Sequence, residues 1–536
     1  MTPLDLALVN GRVRTLDPDN PAATALGIAG GTLAVVGSDA DVRAAAGPAT
    51  EVIDLAGAAA VPGLIDSHIH PFMGADAARG VDLMSAATLE EVRRRVAAER
   101  ARCAPHEWVL GYGLDYNAFA ATGIAGELLA EAAGGGPALL TFVDMHTGLA
   151  TPRALELAGV AGARAFEEHA EVVVDGAGRP TGELRESAAI DLVRAAIPEQ
   201  TAAERYRLYA DALRAYAAAG LTGLHAMDGD LETLELLREL ESRGDLATRI
   251  VTPFWLSPDS TDAQWEAFAA ARDEHGRRWR AGVAKFFIDG VIDSGTGWLF
   301  APDSEGEGLA PFWPDPVRYR AGVRFFAERG FQCVTHACGD RAVHEALEAY
   351  REAGAAPGVR HRIEHIETIQ PDDLPRFAAE GVIASMQVQH MMELDPDRAD
   401  NWSRRLGADR CDRAFRTRDL LDSGAHVALG SDWPVARFDP REGLAATRLR
   451  RRPGAPERRP YDDQALSAID ALLGYTRAAA AAVGDGERLG MLRAGMLADV
   501  TVLAQDPVDC PADELVDVPV RLTVVDGEVV FDGGLR

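Results

Sequence analysis

The two ends of the chain carry short alternating apolar runs, whereas its centre carries apolar runs separated by amphipathic stretches. At the start, L-A-L-V-N-G-R-V-R-T-L, A-L-G-I-A-G-G-T-L-A-V-V-G and E-V-I-D-L-A-G-A-A-A-V read as strands, with glycine and Asn-Gly pairs at the turns. A-D-V-T-V-L-A and V-R-L-T-V-V-D-G-E-V-V-F return to that style near the other end. The ends therefore predict one small composite β-sandwich, from residues 1–60 plus 485–536.

Over 61–484, apolar β-type runs alternate with helical periodicity, as in a parallel sheet wrapped by helices. Eight runs qualify as strands, near 63–69, 221–226, 249–255, 283–288, 331–336, 360–365, 382–388 and 426–431. One intervening helix opens at Thr201, with Glu204 completing a capping box, and closes at Gly220. Another begins at Asp340, whose carboxylate is expected to be its N-cap. Eight such units predict an α/β fold, a (β/α)8 TIM barrel, whose active site lies at the C-terminal ends of its strands. About 150 residues separate the first two runs, far more than a βα connection needs. Residues 75–200 are expected to form an inserted α/β subdomain covering the barrel mouth.

Composition narrows the partners. A net charge of −29 argues against nucleic acid, whose binding rests on cationic faces, and the triplets Arg93–Arg95 and Arg450–Arg452 are too short to reverse that field. No apolar run reaches the ~20 residues of a membrane span, and no leader precedes the first strand. The 5 cysteines lack disulfide-type or metal-type spacing, which fits a reduced cytoplasm; Cys333 and Cys338 read as small buried hydrophobes. A cytoplasmic protein acting on a small molecule is expected, with surfaces available for a homodimer.

Lys285 is the single lysine; the rest of the 54 basic residues are arginine. Arginine keeps its proton, whereas a partly buried lysine can become a neutral amine. Such an amine can add carbon dioxide to form a carbamate, an oxygen ligand able to bridge two metal ions.

Its neighbours on other strands point the same way. Side chains alternate along a strand, so Asp66, His68 and His70 share one face of V-P-G-L-I-D-S-H-I-H. Lys285, Phe287 and Asp289 share a face of the fourth strand. His336 ends the fifth, His365 the sixth and Asp432 the eighth. Five strands each offering a metal-compatible group at the same end predict a metal centre.

The ordered motifs P-G-L-I-D-S-H-I-H, K-F-F-I-D-G, T-H-A-C-G-D-R-A, R-I-E-H-I-E and G-S-D-W-P resemble the signature of the amidohydrolase superfamily. They are most similar to the branch that includes N-substituted formamide deformylases, amidohydrolase family 3. The resemblance spans essentially the whole chain. It implies one or two divalent ions, most simply Zn2+, held by His68, His70, His336, His365, Asp432 and a carboxylated Lys285. It further implies a metal-activated hydroxide as nucleophile, since a divalent ion lowers the pKa of water from ~16 towards ~7. Asp432 is expected to take the attacking water's proton and return it to the leaving nitrogen.

Other side chains are weaker candidates. His146 and His225 either donate to substrate or oxyanion or are structural. Arg341 either anchors a substrate carboxylate or pairs with Asp340, and Glu183 and Glu186 either help close the insertion or are solvated. Trp298, Trp433, Tyr112 and the group Gln387, Gln389 and His390 are expected to shape the pocket. The expected reaction is hydrolysis of a linear amide-type C–N bond in a small organic molecule. A deaminase or cyclic-amide hydrolase is the nearest rival, and Lys285 counts against it, since mononuclear deaminases of the superfamily generally lack that lysine. Ester or carbamate hydrolysis would use the same chemistry. A non-catalytic barrel scaffold would lack ligands, and this sequence retains them all.

Overall fold

A computed structural model describes residues 3–104, 107–143, 145, 147–166, 170–185, 187–455 and 462–536. The chain divides into two compact units, Met1–Pro71 with Tyr209–Arg536, and Phe72–Leu208.

The first unit holds eight parallel strands: β1 (Leu64–Ile69), β2 (Leu221–Ala226), β3 (Arg249–Leu256), β4 (Trp279–Phe287), β5 (Gln332–Ala337), β6 (Arg362–His365), β7 (Ile383–Met386) and β8 (His426–Leu429). They pair in chain order from β1 to β8. Two backbone bonds join the ends of the sheet, from Asp432 N to His68 O (2.7 Å) and from His70 N to Trp433 O (3.0 Å). The sheet is thereby a nearly closed barrel. Its strands are largely buried throughout, so they read as continuous rather than alternating apolar runs. The fourth begins earlier than its sequence pattern suggests, because Trp279 and Ala281 are buried as well.

Helix α1 (Ala202–Ala218) has the expected capping box: Thr201 N donates to Glu204 Oε2 (2.8 Å) and Glu204 N to Thr201 Oγ1 (3.3 Å). It stops just before Gly220, whose φ of +95° suits glycine. Helix α2 (Asp340–Ala353) departs from expectation, because its N-cap is Gly339. The Asp340 carboxylate instead accepts from Phe300 N (3.1 Å) and Gln370 Nε2 (2.6 Å), tying the loop after β4 to the loop after β6.

Both termini contribute to one six-stranded sheet, in the order Glu528–Asp532, Val520–Val525, Val500–Leu503, Ala59–Pro62, Arg12–Arg14, Ala22–Ala23. A four-stranded sheet of Thr32–Gly37, Ala25–Ala29, Leu6–Val9 and Glu51–Asp54 accompanies it. One apolar cluster includes Leu8, Leu26, Ile53, Ala60, Val500, Val502 and Leu522 from both sheets. Arg249, at the start of β3, pairs with Asp499 (2.7 Å) and Asp526 (2.8 Å) and fastens barrel to sandwich.

The second unit is a separate six-stranded mixed sheet with its own apolar clusters. Tyr112 is buried on its strand Val109–Leu114, and Glu183, on Pro180–Arg185, pairs with Arg185 (2.8 Å). His146 and Glu186 lie outside the described residues. Among the described residues no helix is long and apolar enough to cross a membrane.

Candidate metal centre

The C-terminal rim of the barrel gathers the expected ligands. His68 and His70 leave β1 on one face, their ring centroids 5.7 Å apart. Asp432 follows β8 and presents Oδ1 to both, 3.2 Å from His68 Nε2 and 3.3 Å from His70 Nε2. A tetrahedral ion with donors at about 2.0–2.1 Å has donor–donor edges of about 3.3 Å. Two edges of one face of such a site are therefore already present. His365, at the end of β6, completes a group with His68 and Asp432, with Nδ1 3.9 Å from Asp432 Oδ2.

Two of the expected ligands sit in unusual backbone conformations, His365 at φ +70° and Asp432 at φ +61°. Non-glycine residues hold this left-handed region only when their surroundings enforce it. Here Gln387 Oε1 accepts from His365 N (2.8 Å), and His68 O accepts from Asp432 N.

The chemistry of the donors supports a cation. His68 Nε2, His365 Nδ1 and Lys285 Nζ are all buried and make no hydrogen bond. Buried polar atoms without partners are costly and uncommon, and a convergent set of them suits a positive ion. Lys285 is 0% exposed, its Nζ 5.1 Å from the centroid of Phe287. Burial pushes its amine down to about 8, against the pull of Glu364 and Asp432. Burial likewise holds His336 and His365 neutral: His336 falls to about 3, and His365 well below its usual range. Asp432 stays ionised despite burial because His68, His70 and His390 surround it.

His336 stands next to His365, with centroids 4.4 Å apart, and stacks on Phe287 at 4.1 Å. Its Nε2 faces Gly290 O (3.1 Å) and Cys338 Sγ (3.5 Å). His336, Asp289 and Cys338 thus form a second metal-compatible group. Asp289 accepts from the backbone N–H groups of Trp298, Cys338 and Gly339, so its carboxylate also shapes the loops beside His336.

Glu364 and Arg362, neither given a role in the sequence reading, border this cluster, and so does His390. Glu364 Oε2 lies 2.6 Å from His68 Nδ1, which orients the ring and leaves Nε2 for the ion. Arg362 fixes Glu364 with two bonds of 3.0 Å and also reaches Ser67 O and Ser385 Oγ. Their signal was an Arg-x-Glu alternation inside a buried strand. His390, expected only to shape the pocket, reaches the cluster as well. Its Nε2 is 3.3 Å from Asp432 Oδ2, and its Nδ1 is 3.6 Å from Glu367 Oε1. Burial opposes its charge, but these carboxylates push it up to about 10. His390 lies on a 3-10 turn, Val388–Glu393, where strand alternation no longer applies.

The remaining candidates are distributed differently. His225 is buried and accepts from Arg362 Nη1 at Nδ1 (3.1 Å), so that nitrogen is taken by the barrel's own polar network. Arg341 does not pair with Asp340; its guanidinium lies 4.7 Å over the Trp298 ring. Trp433 meets Phe438 edge to face at 5.1 Å, and Gln389 Nε2 donates to Arg437 O (2.8 Å). Cys333 and Cys338 are both buried, and Cys338 also borders His336.

Known proteins place this arrangement. A family model described as the amidohydrolase family matches residues 51–531. The chain is 30% identical over 558 residues to an N-substituted formamide deformylase of Arthrobacter pascens, covering 98% of each chain. It is 28% identical over 553 residues to the protein LONG AFTER FAR-RED 3 of Arabidopsis thaliana, covering 98% of this chain and 91% of that one. An uncharacterized metal-dependent hydrolase from Pyrococcus horikoshii shares the fold at a TM-score of 0.73 and 23% identity, over 95% of this chain and 99% of that one. With the family model matching residues 51–531 and a relative 30% identical over nearly the whole length, the chain belongs to the amidohydrolase family, hydrolases of carbon–nitrogen bonds other than peptide bonds.

Proposed function

We propose that this amidohydrolase cleaves a linear amide-type C–N bond of a small organic molecule, R–CO–NH–R′ with water giving a carboxylic acid and an amine. The observation that carries the reading is the division of labour at Asp432. Oδ1 faces His68 and His70, and Oδ2 faces His390 and His365. One oxygen can serve the metal while the other handles a proton.

His68, His70, Asp432 and His365 would hold one divalent ion, most simply zinc, and His336 with a carboxylated Lys285 would hold a second. When bound, such an ion supplies Lewis acidity and acidified water. The chain's own residues do the rest. Asp432 Oδ2 receives the proton of the attacking water and delivers it to the leaving nitrogen, which departs as a neutral amine. His390, cationic between Asp432 and Glu367, holds the Asp432 carboxylate in place. Glu364 keeps the His68 tautomer fixed. Burial of Lys285 favours the neutral amine that carbon dioxide requires. Identity to a relative named for N-substituted formamides favours an N-formyl or other small N-acyl substrate.

The test is a screen of the metal-reconstituted enzyme against N-formyl, N-acyl, ring-amide and amino-heterocycle compounds. Amine release from the first two classes is expected. Ammonia release from amino-heterocycles alone would make the chain a deaminase instead. Absence of turnover together with absence of bound metal would make it a scaffold.

A further inference from the structure

At the opposite end of the barrel lies a cavity of about 370 Å3 that the metal chemistry does not use. It is bounded by the N-terminal ends of β4 and β5, the approach to β6, and helix α3 (Arg477–Ala482) with the residues that follow. Arg280 and Lys285 are five residues apart on β4, which places this floor roughly 16 Å along the strand from the lysine.

Three guanidinium groups line it, those of Arg272, Arg280 and Arg360. Arg280 is matched by Asp485 (3.2 Å). Arg272 contacts Asp273, which is itself 85% exposed, and its Nε is buried with no hydrogen-bond partner. Glu274, also on the rim, is engaged outward by Arg238 (2.8 Å). Arg360 differs: its bonds are a long one to Ala481 O (3.4 Å) and a long approach to His426 Nδ1 (3.5 Å), with no carboxylate among the described residues. Burial without a counter-charge lowers its pKa. His426 offers no proton there, because its Nε2 faces Ala478 O (2.7 Å) and Nδ1 is left as an acceptor. A half-buried guanidinium left unmatched in a chain of net charge −29 is an anion receptor in waiting.

The walls are held independently of any occupant. Gln332 Nε2 donates to Arg360 O and Ala482 O, both at 2.6 Å, and so ties β5 to the approach of β6 and the end of α3. The volume lies at the low end of small-molecule pockets, about 300–1,000 Å3.

We propose that this floor cavity binds a small molecule bearing a carboxylate or phosphate group, gripped by the fork of Arg360 with Arg280 and Arg272 beside it. The site is separate from the metal centre, and its occupant bridges β6 to α3.

The test is calorimetry on the metal-loaded full chain at low ionic strength, with inorganic phosphate and with succinate as probes. Saturable, one-to-one binding of at least one probe is expected, weakened tenfold or more in Arg360→Gln and less in Arg360→Lys, which keeps the charge but not the fork. Binding of phosphate alone identifies a phosphorylated ligand class, and binding of succinate alone a carboxylate class. Ala481→Glu keeps the backbone carbonyl that Arg360 reaches and adds a carboxylate to the cavity lining; it is expected to abolish binding even if Arg360→Gln fails to fold. Hydrolytic turnover is expected to be unchanged in these variants. Absence of saturable binding by both probes, or equal affinity in wild type and Ala481→Glu, would overturn the proposal; the second result would assign the anion to the metal centre.

Discussion

Glu364 and His68, both wholly buried, face each other across the barrel at 2.6 Å, carboxylate to Nδ1. This contact fixes which histidine nitrogen is free to meet a cation. Glu364→Gln removes the charge that holds the proton on Nδ1 while nearly preserving shape. Metal affinity is expected to fall about 10–100-fold. Competition with a chelator of known affinity measures it, and unchanged affinity would remove Glu364 from the centre.

Arg362 supplies the counter-charge for that carboxylate from the same strand. Arg362→Met would leave Glu364 ionised and unmatched in a closed interior, a loss expected to cost about 3–5 kcal/mol. The double variant with Glu364→Gln should recover part of it. Denaturant unfolding of the metal-free proteins gives both values, and a double variant less stable than Arg362→Met would contradict the pairing.

Asp432→Asn keeps a metal-facing oxygen but cannot carry a proton. Turnover is expected to drop by about 10²–10⁴-fold with substrate binding largely retained. Steady-state kinetics at matched metal content separates the two, and near-normal turnover would end the proton-shuttle role.

Lys285→Arg replaces an amine with a group that cannot react with carbon dioxide. Loss of metal from the second position and of most turnover is expected, read by elemental analysis and activity. In the wild type, with the amine pushed down to about 8, the neutral fraction rises as pH climbs through that value. Bicarbonate should therefore promote metal uptake by metal-free protein more strongly at pH 9 than at pH 6.5. Uptake indifferent to bicarbonate at both values would exclude the carbamate.

Removing metal should cost stability. A ligand at 100 times its Kd stabilises the folded state by about 2.7 kcal/mol, so chelation is expected to lower the melting temperature and zinc to restore it. A melting temperature insensitive to both would argue that the histidine cluster is structural.

The barrel, and the gathering of His68, His365 and Asp432 at its rim, were legible because two local rules coincide there. Alternation put His68 and His70 on one face, and His336, His365 and Asp432 lie at or just past strand ends, where a barrel gathers its chemistry. The rules fail once the chain leaves regular geometry. His390 touches Asp432 from a 3-10 turn, so its direction had no period to follow. Asp340 looked like a cap because acidic residues often are; an extended Gly339 (φ −77°, ψ 151°) takes that place and frees the carboxylate to bind two loops. The floor cavity was invisible for another reason. Arg272, Arg360 and Val483 are remote in sequence, and nothing in their neighbourhoods marks them as one wall.

The closing seam of the barrel, where Asp432 N meets His68 O and His70 N meets Trp433 O, runs through the ligands themselves. The order of assembly follows from that geometry. A nascent chain still lacking β8 has neither the carboxylate nor the backbone partners that set its two leading imidazoles, and closing so long a loop is entropically demanding. Capture of the proposed cation would therefore wait until the last strand has docked, and a truncated or stalled product would lack the finished site.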